Sequence, residues 1–355
     1  FQLFDELCSE LKSAQATLGF ESLPGKIGGS ISKFKLESFI WEQVNRHYNY
    51  HSEQSNLLDF LLQLMRFSIA TLLENPPKLS NEAGTLINHW KDSYKHRATY
   101  DQMSTIIASE NFLNLPMILQ NINSVDDLLE LDGFSEIDHQ ILLEIKQEFS
   151  VSEPPLELLR RLIGTRINKH WYEEYKASYT AFQEAIELFF LMDKLELEIN
   201  SFEDGLKKYT ETFYKLDLHY RRFITFSDQS GFTDLFGDLA KKVENFYVNR
   251  ILSVLNEQWQ EQIEKHPWSS KNVIHQQNFF EKLVRPLLQK KGKVFVVISD
   301  AMRYECALEL KEMVMRKDRY QAELKPMLGV LPSFTQLGMA ALLPNKKLEL
   351  DKNAE

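Results

Sequence analysis

Two short stretches in the last quarter of the chain hold residues able to do chemistry together. The first is Asp300, which closes Lys293 to Ser299, reading KVFVVIS. That run is β-branched and aromatic, apolar on both faces and strand-length, the pattern of a strand buried between helix layers in a parallel sheet. A carboxylate just past such a strand lies where open α/β sheets place their ligands, and its oxygens suit a hard or borderline metal ion. The second stretch is Pro332-Ser333-Phe334-Thr335, which leads into a short helix candidate, Gln336 to Leu343. A hydroxyl at a helix N-terminus has backbone N–H groups and the positive dipole end beside it. These can hold a phosphate while the hydroxyl attacks phosphorus. Threonine is a poor nucleophile until a metal or base takes its proton, so this chemistry requires Thr335 to sit near Asp300. Taken singly, each residue also reads as a plain helix cap.

Other constellations are weaker. A Walker-B aspartate would look like Asp300, but no GxxxxGK[ST] loop exists to go with it; Gly25-Lys26-Ile27-Gly28-Gly29-Ser30 has the wrong spacing. His47 and His51 have the i, i+4 spacing of a helical metal pair with no third ligand evident, so surface or packing roles are expected. Ser124 to Phe149, with Leu131-Asp132-Gly133-Phe134 between two helical pieces, faintly resembles a helix–hairpin–helix DNA-binding turn. It lacks basic residues to neutralise phosphate and is expected to be an ordinary packing unit.

The elements around the two stretches follow from periodicity. Ala301 to Arg316 is a helix candidate with Met302, Cys306, Leu310, Met313 and Val314 on its apolar side. Gln321 to Val330 can form a second strand, an edge or broken one because of Pro326. Ahead of residue 290 the grammar is helical. Leu235, Leu239, Val243, Phe246, Ile251, Val254 and Leu255 follow the helical period. Long helices are expected at about 168–197, 201–226 and 234–264, and shorter ones at 2–18, 36–48, 54–74, 79–96 and 135–149. The aromatic residues between Trp171 and Phe223 are expected to pack helices together rather than to stack bases. Asn75-Pro76-Pro77, Ser152-Glu153-Pro154-Pro155 and His266-Pro267-Trp268 punctuate the chain. Three regions result: an N-terminal helical domain (1–152), a long-helix central domain (153–266) and the incomplete start of an α/β domain (267–355).

The composition permits this: 43% hydrophobic and 26% charged residues can bury a core, which excludes wholesale disorder. Cys8 and Cys306 cannot make a disulfide framework, which fits a reducing compartment. No apolar run reaches the roughly 18 residues of a membrane span, and a cytoplasmic protein is expected. The charge is uneven. Residues 266–355 hold 15 Lys and Arg against 10 Asp and Glu, a net of +5; of the chain's 41 and 51, that leaves 26 against 41, or −15, for residues 1–265. An acidic front argues against a general nucleic-acid-coating surface there.

VVISDAMRYE followed by LPSFTQLGMAALLP closely resembles the start of the PglZ domain, a branch of the alkaline phosphatase superfamily. The helical region ahead of it resembles, in organisation, the type-A PglZ proteins of BREX phage-defence systems. The resemblance implies a mainly α chain followed by the beginning of an α/β alkaline-phosphatase-like domain. It implies that Asp300 is a metal ligand and that Thr335 is both nucleophile and metal ligand, with Ser333 in reserve. Arg303 and Glu305, from the DAMRYE signature, fall near the site without an assigned step, or form a pair on a helix surface. The implied cofactor is a divalent metal, zinc first, with manganese or magnesium as alternatives. The implied activity is metal-dependent phosphoester hydrolysis within a BREX assembly, on a phosphoester or nucleic-acid substrate, with other BREX components as partners and no membrane. The alternative is a non-catalytic scaffold of that assembly. Superfamily sites need further Asp and His ligands, yet all nine histidines precede Asp300. The chain, which opens on Phe1 and stops at Glu355, is therefore expected to be the front of a longer protein, metal-free and inactive by itself.

Overall fold

Asn56 shows how this sequence starts a helix. Its backbone is extended, and its side chain accepts the Asp59 backbone N–H at 2.8 Å, satisfying a donor that the first turn leaves free. Ser201 does the same for Asp204 at 3.2 Å. Between such caps the 3.6-residue period decides which side chains face inward. The computed structural model describes residues 1–13, 25–290 and 293–348.

The elements in chain order are α1 (Gln2–Ser13), α2 (Gly25–Lys33), α3 (Glu37–Tyr48), α4 (Leu57–Phe67), α5 (Asn81–Lys91), α6 (Arg97–Ala108), α7 (Leu115–Leu119), α8 (Ser135–Ser150), α9 (Leu156–Arg166), α10 (Lys176–Lys194) and α11 (Phe202–Lys208). A π-helical turn, Tyr209–Phe213, joins α11 to α12 (Tyr214–Ser230). A second, Tyr247–Leu252, joins α13 (Thr233–Phe246) to α14 (Ser253–Lys265). Then come β1 (Ile274–His275), α15 (Arg285–Gln289), α16 (Tyr304–Met315), β2 (Met327–Leu328) and α17 (Thr335–Leu342). The fold is mainly α, as expected. The helices expected at 36–48 and 135–149 are α3 and α8. The run expected at 2–18 is helical to Ser13, and residues 14–18 lie outside the described residues. Helices α2, α6, α7, α9 and α15 escaped the sequence reading; α7 and α15, of five residues each, have too few turns to establish a period. Among the described residues no helix is long and apolar enough to cross a membrane.

The chain divides into two units, Phe1–Gln183 with Phe226–Leu239, and Glu184–Thr225 with Ala240–Glu355. In the first, Trp90 is packed between Phe4, at 4.7 Å, and Tyr100, edge-on at 5.2 Å. The Tyr100 hydroxyl donates to the Gly133 carbonyl at 2.9 Å, and Lys91 pairs with Asp132 at 2.7 Å. The Leu131–Phe134 turn thus spends its polar groups on packing, as expected.

A buried ion pair fixes the same unit. Arg166, at the end of α9, is fully buried and holds Asp138 of α8 through Nε at 3.0 Å and Nη2 at 2.6 Å. Its Nη1 donates to the carbonyls of Leu129 at 2.8 Å and Leu131 at 2.7 Å. Tyr179 of α10 donates to Asp138 at 2.6 Å. Burial alone would lower the guanidinium's pKa, but the Asp138 bond and charge carry it upward. Burial, followed by the Asp138 charge, pushes the Tyr179 phenol well up.

The second unit packs rings on rings. Phe189 stacks on Phe246 at 3.9 Å, Tyr220 on Tyr247 at 3.9 Å, and Phe202 on Trp259 at 5.0 Å. Phe213, Phe223, Val243 and Ile251 of the same unit are buried. The aromatic clusters are core, as the helical spacing implied.

Arg166→Met strands a buried carboxylate and unpairs two carbonyls. It is expected to cost about 3–5 kcal/mol in urea unfolding followed by far-ultraviolet circular dichroism. Arg161→Met, which removes the exposed pair with Asp126 at 2.8 Å, is expected to cost under about 1 kcal/mol. Equal losses in the two variants would refute this ranking.

Candidate functional site

The site is assembled from two loops, each tied down separately. KVFVVIS forms no strand over residues 293–299 and pairs with none among the described residues; Phe295 is 86% exposed and Val297 90%. This corrects the expected buried strand. Apolarity on both faces prepares a segment for a sheet interior, but a strand exists only where a neighbour supplies its hydrogen bonds. Gln321 to Val330 shortens to β2, just after Pro326. Its parallel partner is β1, with Ile274 opposite Met327 and His275 opposite Leu328. Two residues show no alternation, so nothing in the sequence marked β1 as a strand.

Gln276, directly after β1, orders the approach to α17. Its Oε1 accepts the Val330 N–H at 3.0 Å, and its Nε2 donates to the Gly338 carbonyl at 3.0 Å. Trp268 Nε1 donates to the Gly329 carbonyl at 2.7 Å. Thr335 is the first residue of α17. The first bond of that helix runs from Gly338 N to Phe334 O at 3.0 Å. The N–H groups of Thr335, Gln336 and Leu337 therefore precede the ladder and point past the helix start.

Asp300 lies at the turn directly after this segment. Its Oδ1 accepts the Ala301 N–H at 3.1 Å. Ala301 has φ +52°, a left-handed conformation that costs a residue with a Cβ about 1–2 kcal/mol. Asp300 Oδ2 accepts the Thr335 hydroxyl at 3.0 Å. Two residues far apart in the chain are thus in direct contact, and both are exposed. Thr335, rather than the exposed Ser333 two residues earlier, makes the bond.

Arg303 and Glu305 differ from a pair on a helix surface. Arg303 Nε is 3.0 Å from Glu305 Oε1, but Glu305 is fully buried, the one buried residue of α16. The expected apolar side of that helix is open instead, with Leu310 and Met313 exposed. Arg303 Nη2 also lies 3.3 Å from Asp217 Oδ2. Asp217 accepts Tyr209 at 2.6 Å and Tyr247 at 2.5 Å. Burial first, then the bond to Asp217, pushes both phenols well above their ordinary pKa. Burial would lower Arg303, but its bond with Tyr247 and the charges of Glu305 and Asp217 raise it on balance. Sequence reasoning missed Asp217, Tyr209 and Tyr247. The only local signal was an acid, Asp217, among the basic residues Lys215, His219, Arg221 and Arg222.

The remaining candidates have local uses. His51 is hydrogen-bonded on both ring nitrogens, to Asn45 at 2.8 Å and Asn49 at 3.2 Å. Among the described residues no three His, Cys, Asp or Glu side chains gather as a metal site. Asp300 and Thr335 offer two adjacent oxygens, the donor chemistry of a divalent cation, as a partial ligand set.

Residues 279–355 match the family model described as the BREX system PglZ alkaline phosphatase-like domain. The chain is 28% identical over 341 residues to the alkaline phosphatase-like protein PglZ of Bacillus cereus (strain H3081.97), covering 92% of this chain and 40% of that protein. It is also 28% identical over 374 residues to the alkaline phosphatase-like protein BrxZ of Escherichia coli O9:H4 (strain HS), covering 96% and 41%. The chain thus spans about two fifths of the length of these curated relatives. No solved structure matches it significantly. Asp300 and Thr335 both fall within the residues that match the PglZ model, and the chain is similar to PglZ and BrxZ over nearly all its length.

Proposed function

We propose that the protein is a metal-dependent phosphoester hydrolase of a BREX-type phage-defence system, with Thr335 as nucleophile and Asp300 as metal ligand. The supporting observation is the 3.0 Å bond between Thr335 Oγ1 and Asp300 Oδ2 at the start of α17. It brings a hydroxyl, a carboxylate and helix-start N–H groups to one place. A divalent cation, zinc by resemblance, would be held by Asp300 and the Thr335 oxygen, and when bound would favour the alkoxide form of that hydroxyl. The N–H groups of Thr335, Gln336 and Leu337 would hold phosphoryl oxygens. Thr335 Oγ1 forms a bond to phosphorus while the bond to the leaving alcohol's oxygen breaks, giving a phosphothreonine and the alcohol. Water then cleaves the phosphothreonine, restoring the hydroxyl and releasing the phosphate product. The acidic helices serve to position and recruit other components of the system. The competing reading, a scaffold without catalysis, draws on the partial ligand set and the open setting of the pair.

Two measurements separate these readings. The intact protein is expected to hydrolyse a chromogenic phosphodiester or monoester with added zinc, manganese or magnesium. Asp300→Ala and Thr335→Ala should each lower the rate by at least about a hundredfold. Phage protection undiminished in both variants would establish the scaffold instead. Prolonged chelation should abolish turnover, and one of the three cations should restore it. Turnover indifferent to chelator would exclude the metal-dependent scheme.

A further inference from the structure

We infer that Arg303 is a positioning residue, fastening the Asp300 turn to the helices of its own unit through a carboxylate that two tyrosines hold in place. Its catalytic consequence rests on the hydrolase reading; the anchoring itself does not. Asp217 is 8% exposed and accepts hydroxyls from Tyr209 and Tyr247. Each tyrosine opens a π-helical turn, Tyr209–Phe213 in one helical run and Tyr247–Leu252 in another. π turns within α-helices are rare and occur frequently at functional sites. Here two such turns, in separate runs, deliver their hydroxyls to the same carboxylate. The Tyr247 ring is held in turn by stacking on Tyr220 at 3.9 Å and 6°.

Arg303 bridges this carboxylate to a second one. Its Nη2 is 3.3 Å from Asp217 and its Nε 3.0 Å from the buried Glu305. Glu305 faces Arg221 Nε at 3.6 Å, and Glu309, one turn on, pairs with Arg221 and, at 3.4 Å, with Arg222. Arg222 and His219 both hold Glu184, at 2.9 and 2.6 Å. The guanidinium therefore ends a chain of alternating charges running into the helices. Three residues of chain reach at most roughly 10 Å, so fixing residue 303 confines Asp300. The residue after Asp300 is the left-handed Ala301, a strained conformation that persists only where its surroundings hold it.

The test uses amide hydrogen exchange on this chain and steady-state kinetics on the intact protein. The variants are Arg303→Met, Asp217→Asn, and the double change Tyr209→Phe with Tyr247→Phe, which removes only two oxygens and guards against misfolding. Exchange of the Ala307 amide, which donates to the Arg303 carbonyl at 3.0 Å, is expected to quicken about tenfold in each, with α8 unchanged. The kcat should fall about a hundredfold while KM stays within about twofold, the mark of a misplaced reacting group. Arg303→Lys, which can reach one carboxylate but not both, should recover part of the loss. Unchanged exchange in Arg303→Met and in the tyrosine double variant would overturn the anchor. An active wild type with normal kcat in Arg303→Met would overturn the positioning role and leave the hydrolase reading intact. A wild type without turnover, but with quickened exchange in the variants, would end the hydrolase reading and support the anchor.

Discussion

The hydrogen bond from Thr335 to Asp300 is the contact on which the candidate site depends. Among the described residues no sheet enforces it: Asp300 follows an exposed segment without a strand partner, and Thr335 opens a helix of eight residues. Each end is held from elsewhere. Gln276 and Trp268 fix the approach to α17, and Arg303 ties down the turn that carries Asp300. A hydroxyl-to-carboxylate bond between two such loops brings both side chains together, a condition for sharing a ligand.

The two units bury charge in different ways. Arg166 in the first is wholly enclosed and spends its donors on a carboxylate and backbone carbonyls. Breaking such a pair is costly because the surviving partner stays out of water. Arg303 in the second is half exposed, while the acids that hold it are buried or nearly so. That arrangement keeps the acids fixed and lets the cation sit at their edge. It also explains why α16 turns Glu305 inward and leaves Leu310 and Met313 open: the salt-bridge partners, not the apolar stripe, set its facing.

Similarity to PglZ and BrxZ covers nearly the whole of this chain but only about two fifths of theirs. The helical part is therefore shared with the relatives rather than peculiar to this protein. The anchor offers one physical reason for the helices and the phosphatase-like segment to occur together. Asp217, Tyr209 and Tyr247 lie ahead of the matched domain, and Arg303 lies within it.

Much was written locally. The 3.6-residue period located α3, α8 and the runs from Phe202 to Ser230 and from Thr233 to Lys265, because helical hydrogen bonds close within a few residues. Residue types and order likewise picked out Asp300 and Thr335 and carried the family resemblance. What the sequence could not settle depended on partners distant along the chain. KVFVVIS has every property of a strand except a neighbour to bond. β1 was too short to show a pattern. Glu305 is buried only because Arg303 and Arg221 meet it, and Asp217 matters only because two π turns aim tyrosines at it. Local periodicity fixes which way a side chain leaves its own backbone; the tertiary fold alone decides what is waiting there.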